Sequence, residues 1–332
     1  MARIMILPVD IAGQSGLMSK YLNANHMFSI AYNTFPNYLQ CTDHMIETDL
    51  YSLQKVFHRT FDSFDIYHYM NSCTIFSDQS DLRVLHEKGK KVVMNHRGSD
   101  IRSSQWAVHG KDYHNPYVIT KNCKSHEQIV QNLEYFSKYV SAAVVTDYEC
   151  YKYVKDYYER VYVIPQLIET HKHTPIYPQK DKKRPVVLHA PTHREFKGTD
   201  YIIQAVQALR PQMDFEFRLI ENMTQQEAFR NYQEADIIID QIRCGAYGNL
   251  GIEAMTLGKA VIAYIREDLV PLYPLELPIV SANPDQIKEK LKMLLLHPEL
   301  RHEIGKKGRA FVEKYHDAKV VMKSLISMYE EI

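Results

Sequence analysis

Loops that directly follow apolar runs carry the residue types that chemistry needs. One such loop runs from Gly245 to Lys259 and reads Gly-Ala-Tyr-Gly-Asn-Leu-Gly-Ile-Glu-Ala-Met-Thr-Leu-Gly-Lys. It follows the apolar run Asp236–Asp240, so a strand, a glycine-containing loop and a helix start succeed one another. That order builds an anion site, because free backbone N–H groups and the positive end of the helix dipole point to one spot. Gly245 and Gly248 would let a diphosphate approach the backbone. Glu253, one turn into the helix, could accept two hydrogen bonds from a ribose diol. The alternative is that the glycines only punctuate a turn and Glu253 is a solvated helix residue.

A second loop, after the run Pro185–His189, carries Arg194 and Lys197 ahead of another helix. Two cations there can neutralise phosphates as a leaving group gains charge, or stand as ordinary solvated charge. In the first half, Gly13 and Gly16 open a helix after the first strand. Their G-x-x-G spacing falls short of the dinucleotide fingerprint, and a simple turn explains it equally. The run Lys91–Asn95 ends in His-Arg-Gly-Ser-Asp, where Asp100 could orient an acceptor hydroxyl or merely pair with Arg97 or Arg102. His171 and His173 lie in a polar linker whose spacing does not suggest a metal site, so no metal is expected.

The elements that must position these residues follow a parallel α/β rhythm, short apolar runs alternating with helix-period segments. Strands are expected at Arg3–Leu7, Phe28–Tyr32, Ile66–Tyr69, Lys91–Asn95, Ala142–Thr146 and Val161–Ile164. Helical patterns lie between them at Ser15–Asn25, Gln79–Lys88 and Ser125–Tyr139, and 97–123 reads as a long loop. Periodicity fails from Pro165 to Arg184, which marks a boundary. Strands resume at Pro185–His189, Phe215–Ile220, Asp236–Asp240, Ala260–Tyr264 and Ile279–Val280. In Thr199–Leu209, residues Ile202, Ala205, Val206 and Leu209 form one apolar face. Asn283-Pro-Asp-Gln reads as a helix start with a capping box. From Glu299 to Ile332 the pattern is helical, with a break near Tyr315–Asp317. The expected domains are 1–165, a linker 166–184, a second domain 185–314, and a tail 315–332.

Composition narrows the function classes. Forty basic and forty acidic side chains give zero formal net charge, which removes the footprint of a nucleic-acid binder. No stretch reaches the length of a membrane span, and the apolar start at Met1–Val9 is too short for a signal-peptide core. The five cysteines are odd in number, far apart and without a C-x-x-C pair, so a reducing cytoplasm is expected. Lys306, Lys307 and Arg309 read as a solvated helix face, with peripheral contact to an anionic membrane as the alternative. The tyrosines clustered at Tyr148–Tyr158 read as amphipathic core.

The stretch Gly245 to Ala263 resembles the donor-binding signature of family 4 glycosyltransferases, with Gly248, Glu253, Ala254, Met255 and Gly258 in register. The resemblance implies the GT-B fold: α/β, two Rossmann-like doubly wound domains facing across a cleft, with the C-terminal helix crossing back to the first domain. It implies that Glu253 holds the donor ribose, that the Asn249 and Leu250 amides hold the diphosphate, and that Lys197 clamps it. The family's matching arginine falls on Thr192, with Arg194 two residues on. The first of the family's paired glutamates is replaced by Gly245, and Tyr247 and Arg243 are nearby candidates for a substitute sugar contact. In the first half the resemblance points to Gly13 and Gly16 as a donor-binding loop that faces the donor phosphates and the acceptor, and to Asp100 and His96 in the acceptor pocket, the last one residue from the family's histidine register.

The implied activity is transfer of a sugar from a nucleotide-diphosphate donor to an acceptor hydroxyl. Retention of configuration, no essential metal and no cofactor beyond the nucleotide sugar are implied with it, in glycan or glycoconjugate biosynthesis. The acceptor would be a carbohydrate, a glycoconjugate or a small molecule. The alternative is a catalytically degenerate binder of nucleotide sugar or glycan. A sugar-nucleotide epimerase lacks an assignable acid/base pair. A nicotinamide oxidoreductase lacks the full fingerprint and its ribose-binding acid.

Overall fold

The structure is a computed structural model that describes residues 2–35, 39–109, 114–118 and 124–332. Cys123 and the rest of 119–123 lie outside the described residues. The chain divides into two compact units. The first comprises Met1–Trp106, Asn122–Leu167 and Ala318–Ile332, and the second Ala107–Lys121 and Ile168–Asp317.

In chain order the elements begin β1 (Ile4–Leu7), α1 (Gln14–Ala24), β2 (Ser29–Asn33), β3 (Ile46–Glu47) and α2 (Leu50–Thr60). Next come β4 (Ile66–Met70), α3 (Ser80–Glu87), β5 (Lys91–His96), α4 (Ser104–His109) and α5 (His126–Phe136). Then follow β6 (Ala142–Val145), α6 (Tyr148–Val154), β7 (Val161–Val163), β8 (Val186–His189) and the single turn α7 (Arg194–Lys197). After these come α8 (Thr199–Leu209), β9 (Glu216–Leu219), α9 (Gln225–Glu234), β10 (Ile237–Ile239) and α10 (Asn249–Thr256). The last are β11 (Ala260–Ala263), β12 (Val280–Ser281), α11 (Ile287–Leu296), α12 (Pro298–Tyr315) and α13 (Ala318–Glu331).

The first unit is built on a seven-stranded sheet of order β3-β2-β1-β4-β5-β6-β7, with every pair parallel. Both faces of such a sheet are covered, so its strands are apolar throughout rather than alternating. Ile4, Ile6, Ile66, Val93 and Val144 form one core with α1 and with Val321, Met322, Leu325 and Met328 of α13. The Tyr329 hydroxyl of α13 lies 2.7 Å from Nδ1 of the buried His68. The second unit has a five-stranded parallel sheet of order β12-β11-β10-β8-β9. Its two faces separate by residue parity. Leu188, Ile238 and Val261 pack under α10 and α12, while Val187, Ile237 and Ile262 pack under α8 and α11.

Several expectations change in detail. The stretch 97–123 is not all loop, since it contains α4. Its residues 107–121 belong to the second unit rather than to a first domain of 1–165. β3 and α2 lie where no element is expected, and α2 is capped by the Asp49 side chain, which accepts from the Ser52 N–H at 2.8 Å. Asn283 does accept from the Asp285 and Gln286 amides, but that residue stretch is a turn and α11 itself starts at Ile287. The break after α12 forms where the His316 and Asp317 amides both return to the Val312 carbonyl. Among the described residues no helix is long and apolar enough to cross a membrane.

Candidate functional site

In the five-stranded sheet the strand order reverses at β8, whose neighbours are β10 and β9. Ligands of open parallel sheets bind outside the carboxyl ends of strands at such a switch point. The residues delivered there are the loop after β8, ending in Lys197, and the loop after β10, ending in α10. Lys197 Nζ donates to Asp240 Oδ1 at 3.0 Å and to Gln241 Oε1 at 2.8 Å. The other Asp240 oxygen accepts the Gly248 N–H at 2.5 Å. Lys197 thereby stands beside the start of α10, where a Cβ on Gly248 would lie 3.0 Å from its Nζ. His189, at the end of β8, is a buried strut. It bonds the Ile239 carbonyl through Nδ1 at 2.7 Å and the Thr199 hydroxyl through Nε2 at 2.9 Å. Burial drives its pKa down to about 4, so the ring is neutral at pH 7.

Glu253 is part-buried on α10 and accepts from Gln225 Nε2 at 3.1 Å. Burial raises its carboxyl to about 7, a rise that Gln225 and Lys197 oppose and the neighbouring Asp240 adds to. Asn249 opens α10, and its side-chain Oδ1 is buried without a hydrogen-bond partner among the described residues. Leu250 is buried in the core below the helix start. An orphaned acceptor, a helix N-terminus, a lysine with donor capacity and a poised carboxylate therefore share one end of one sheet.

Other sequence-indicated residues are engaged elsewhere. Arg194 turns outward to Glu221, at 2.9 Å, and to Asp200. The Tyr247 hydroxyl meets His316 Nε2 at 2.9 Å, and its ring lies against Tyr273. Arg243 donates to the carbonyls of Tyr117 and Glu195, at 2.5 and 2.8 Å. Gly245 has φ +94°, and a Cβ there would stand 3.0 Å from Arg266 Cβ. Beside it the buried Asn115 amide bridges the carbonyls of Arg243 and Cys244, at 2.9 and 3.0 Å. A side chain at position 245 would therefore be strained by this left-handed backbone and would crowd Arg266.

In the first unit the α1 N-terminus is already capped. The Asp10 carboxylate accepts the Gly13 N–H at 2.5 Å and the Ser15 N–H at 2.8 Å. Burial nonetheless raises the Asp10 carboxyl above its usual range. Gly16 is required by packing, since a Cβ there would fall 2.1 Å from the Asp43 carbonyl oxygen.

His96 and Asp100 meet at 2.7 Å, both side chains fully buried. The Ser72 hydroxyl donates to Asp100 at 2.7 Å, and the Arg97 and Gly98 amides donate to its other oxygen. His96 Nε2 lies 2.9 Å from the buried Tyr158 hydroxyl. With every side-chain nitrogen and oxygen used inside the protein, the pair braces the 97–102 loop and does not line an open pocket.

Burial pushes the Asp100 carboxyl up, but His96, Ser72 and the Arg97 amide outweigh it and bring the group down to about 2. The folded pKa is thus below the unfolded one, so this stabilisation is present above about pH 4 and is lost as pH falls through about 2. Asp100→Ala is expected to destabilise the first unit by about 3 kcal/mol at pH 7, because it strands a buried imidazole and two amides. Urea unfolding followed by the fluorescence of Trp106, which packs on His126 and Tyr153, checks this. The difference from wild type should shrink as the pH is lowered towards 2.

Among the described residues, Asp147, Glu149 and Cys150 could bring metal-ligand atoms together. Asp147 caps α6 through the Cys150 N–H at 2.8 Å, however, and Glu149 pairs with Arg102 at 2.7 Å, so both carboxylates serve the fold. His173 stacks on Phe229 at 4.7 Å. Arg309 is not a solvated cation, since it donates to the carbonyls of Thr170, Thr256 and His173. Sequence reasoning did not single out Asp240, Gln241, Gln225 or Asn115. For Asp240 and Gln241 a signal existed, because both directly follow a strand that ends at the switch point.

Comparison with known proteins bears on the fold. Residues 203–327 match the family described as glycosyl transferase-like. No curated protein matches the chain in sequence. Among solved structures, sucrose-phosphate synthase from Thermosynechococcus elongatus is similar with a TM-score of 0.72 at 12% identity, covering 100% of this chain and 99% of that one. Anabaena HepE in complex with UDP and glucose gives 0.68 at 12% identity, with 100% of both chains covered. A glycosyltransferase from Rickettsia africae gives 0.67 at 14%, covering 99% of this chain and 97% of that one. The chain therefore has the fold of GT-B glycosyltransferases, and its residues 203–327 match the glycosyl transferase-like family.

Proposed function

We propose that this protein transfers a sugar from a nucleoside-diphosphate donor to an acceptor hydroxyl. Anomeric configuration is retained, and neither a divalent metal nor a further cofactor is needed. The observation that carries the reading is the convergence of Lys197, the α10 N-terminus and Glu253 at the carboxyl ends of β8 and β10. In this reading Glu253 accepts from the ribose diol, while the Asn249 and Leu250 amides and Lys197 take the diphosphate. These groups stabilise the charge that develops on the leaving diphosphate as an oxocarbenium-like transition state forms. No side chain serves as a covalent nucleophile.

The acceptor, a carbohydrate, glycoconjugate or small molecule, is assigned to the first unit, with the switch point of its sheet between β1 and β4 as the place to look. His96 and Asp100 then act through the loop they brace. Because HepE is described in complex with UDP and glucose, UDP-sugars are the first donors to try.

The test is to incubate the protein with UDP-, GDP- and ADP-sugars and candidate acceptors, with and without a chelator. Release of nucleoside diphosphate that the chelator leaves unchanged, with a product anomer like the donor's, is expected. An inverted anomer would remove retention, and chelator sensitivity would remove metal independence. A second reading, a nucleotide-sugar binder without turnover, is favoured by the crowded Gly245 at the position of the family's sugar-contacting glutamate. Binding of a donor with no release of its diphosphate would select that reading.

A further inference from the structure

The start of α10 already holds an anion that belongs to the chain itself. Asp240, at the end of β10, is fully buried. One of its oxygens accepts the Gly248 N–H at 2.5 Å and the other accepts from Lys197 Nζ at 3.0 Å. Gln241 completes the arrangement, accepting from Lys197 at 2.8 Å and donating its own amide to the Ala246 carbonyl at 2.5 Å. A Cβ on either Gly248 or Gly251 would lie 3.2 Å from Asp240 Oδ2, so both glycines clear room for this carboxylate. The loop and the first turn of the helix are shaped around it.

We propose that Asp240 is an internal counter-anion of the donor site: it holds Lys197 in position and weakens the grip on phosphate, so that the nucleoside-diphosphate product can leave. This rests on the donor-site reading given above. A lysine ammonium has three donors. Two of them are engaged by Asp240 and Gln241, which leaves one for a phosphate oxygen. A buried carboxylate beside the diphosphate opposes each added negative charge, and solvent ions screen it poorly. Arg194, the other cation of the loop, is turned to Glu221 and does not offset it. Each phosphate added to the nucleoside therefore gains less affinity than a lysine and a helix N-terminus alone would give.

The test measures the affinities of nucleosides and of their mono- and diphosphates, in the uridine, guanosine, adenosine and cytidine series. The proteins are wild type, Asp240→Asn and Asp240→Ser. Asparagine keeps the shape and one acceptor oxygen while removing the charge, and serine gives a second reading should asparagine disturb the fold. The diphosphate of the preferred base should bind about tenfold more tightly to both variants, with the nucleoside unchanged. Equal or weaker diphosphate binding, in a variant that melts like wild type, would overturn the proposal and leave Asp240 a structural group. Wild type that binds no diphosphate of any base would instead overturn the donor-site reading, and this proposal with it.

Discussion

Lys197→Ala should lose sugar transfer and stability together, and restoring the stability should not restore transfer. Removing the ammonium takes away the group assigned to the departing diphosphate, an effect of about two to three powers of ten in kcat. It also leaves the buried Asp240 carboxylate without its cation, which costs about 3 kcal/mol. Asp240→Asn added to Lys197→Ala removes the uncompensated charge, so urea unfolding of the double variant should return close to wild type. Transfer should stay low in both. Unfolding and turnover measured on the two single variants and the double variant separate the roles. Recovery of transfer in the double variant would show that Lys197 serves only to neutralise Asp240.

Glu253→Gln should make the free protein more stable at pH 8 while it loses its nucleotide. Burial raises the Glu253 carboxyl from 4.5 to about 7. The folded state therefore binds this proton more tightly than the unfolded chain, and stability falls as pH rises between about 4.5 and about 7. Above that window the ionised group costs up to about 3 kcal/mol, which the neutral amide avoids. The variant is thus expected to melt higher than wild type at pH 8 and nearly equal to it at pH 5. Its affinity for nucleoside diphosphate should fall at least about tenfold, since the amide cannot accept two hydrogen bonds from a diol through charged oxygens. Wild-type affinity should rise from pH 6 to pH 8 as Glu253 ionises, and the affinity of Glu253→Gln should not. A variant that melts lower at both pH values, or that keeps full affinity, would count against both the burial and the role.

The parts of the fold that were legible are those whose signal is local. Strands buried on both faces appear as unbroken apolar runs, as at Ile237–Ile239 and Ala260–Ala263. The apolar face of α8 is fully used by the core beneath it. By contrast, α2 carries Leu50, Leu53 and Phe57 on one face at helical spacing, a signal that sequence reasoning passed over, and the core takes up only Leu53 and Phe57 of it. Asn115 and Tyr117 join the second unit by reaching Arg243, Cys244 and Asp285, all more than a hundred residues away, which no local pattern encodes.

The candidate site divides in the same way. Lys197 and Glu253 stand out because glycines and a helix start surround them in sequence. Arg194 looks equivalent to Lys197 until Glu221, 27 positions along, draws it outward. His96 and Asp100 sit where a pocket lining is expected, yet Ser72, just after β4, and Tyr158, in the loop before β7, close over them. Asp240 reads as strand punctuation until its two oxygens are seen to hold Lys197 and Gly248.

The measurement that tests the central claim most directly is thermal unfolding of wild type and Glu253→Ala with UDP, GDP, ADP, CMP, dTDP and NADH. Ligand at about 100 times its dissociation constant stabilises the state that binds it by about 2.7 kcal/mol. One nucleoside diphosphate should raise the melting temperature of wild type and leave that of Glu253→Ala unmoved. No shift of wild type with any diphosphate, or an equal shift in the variant, would contradict a donor site at the start of α10.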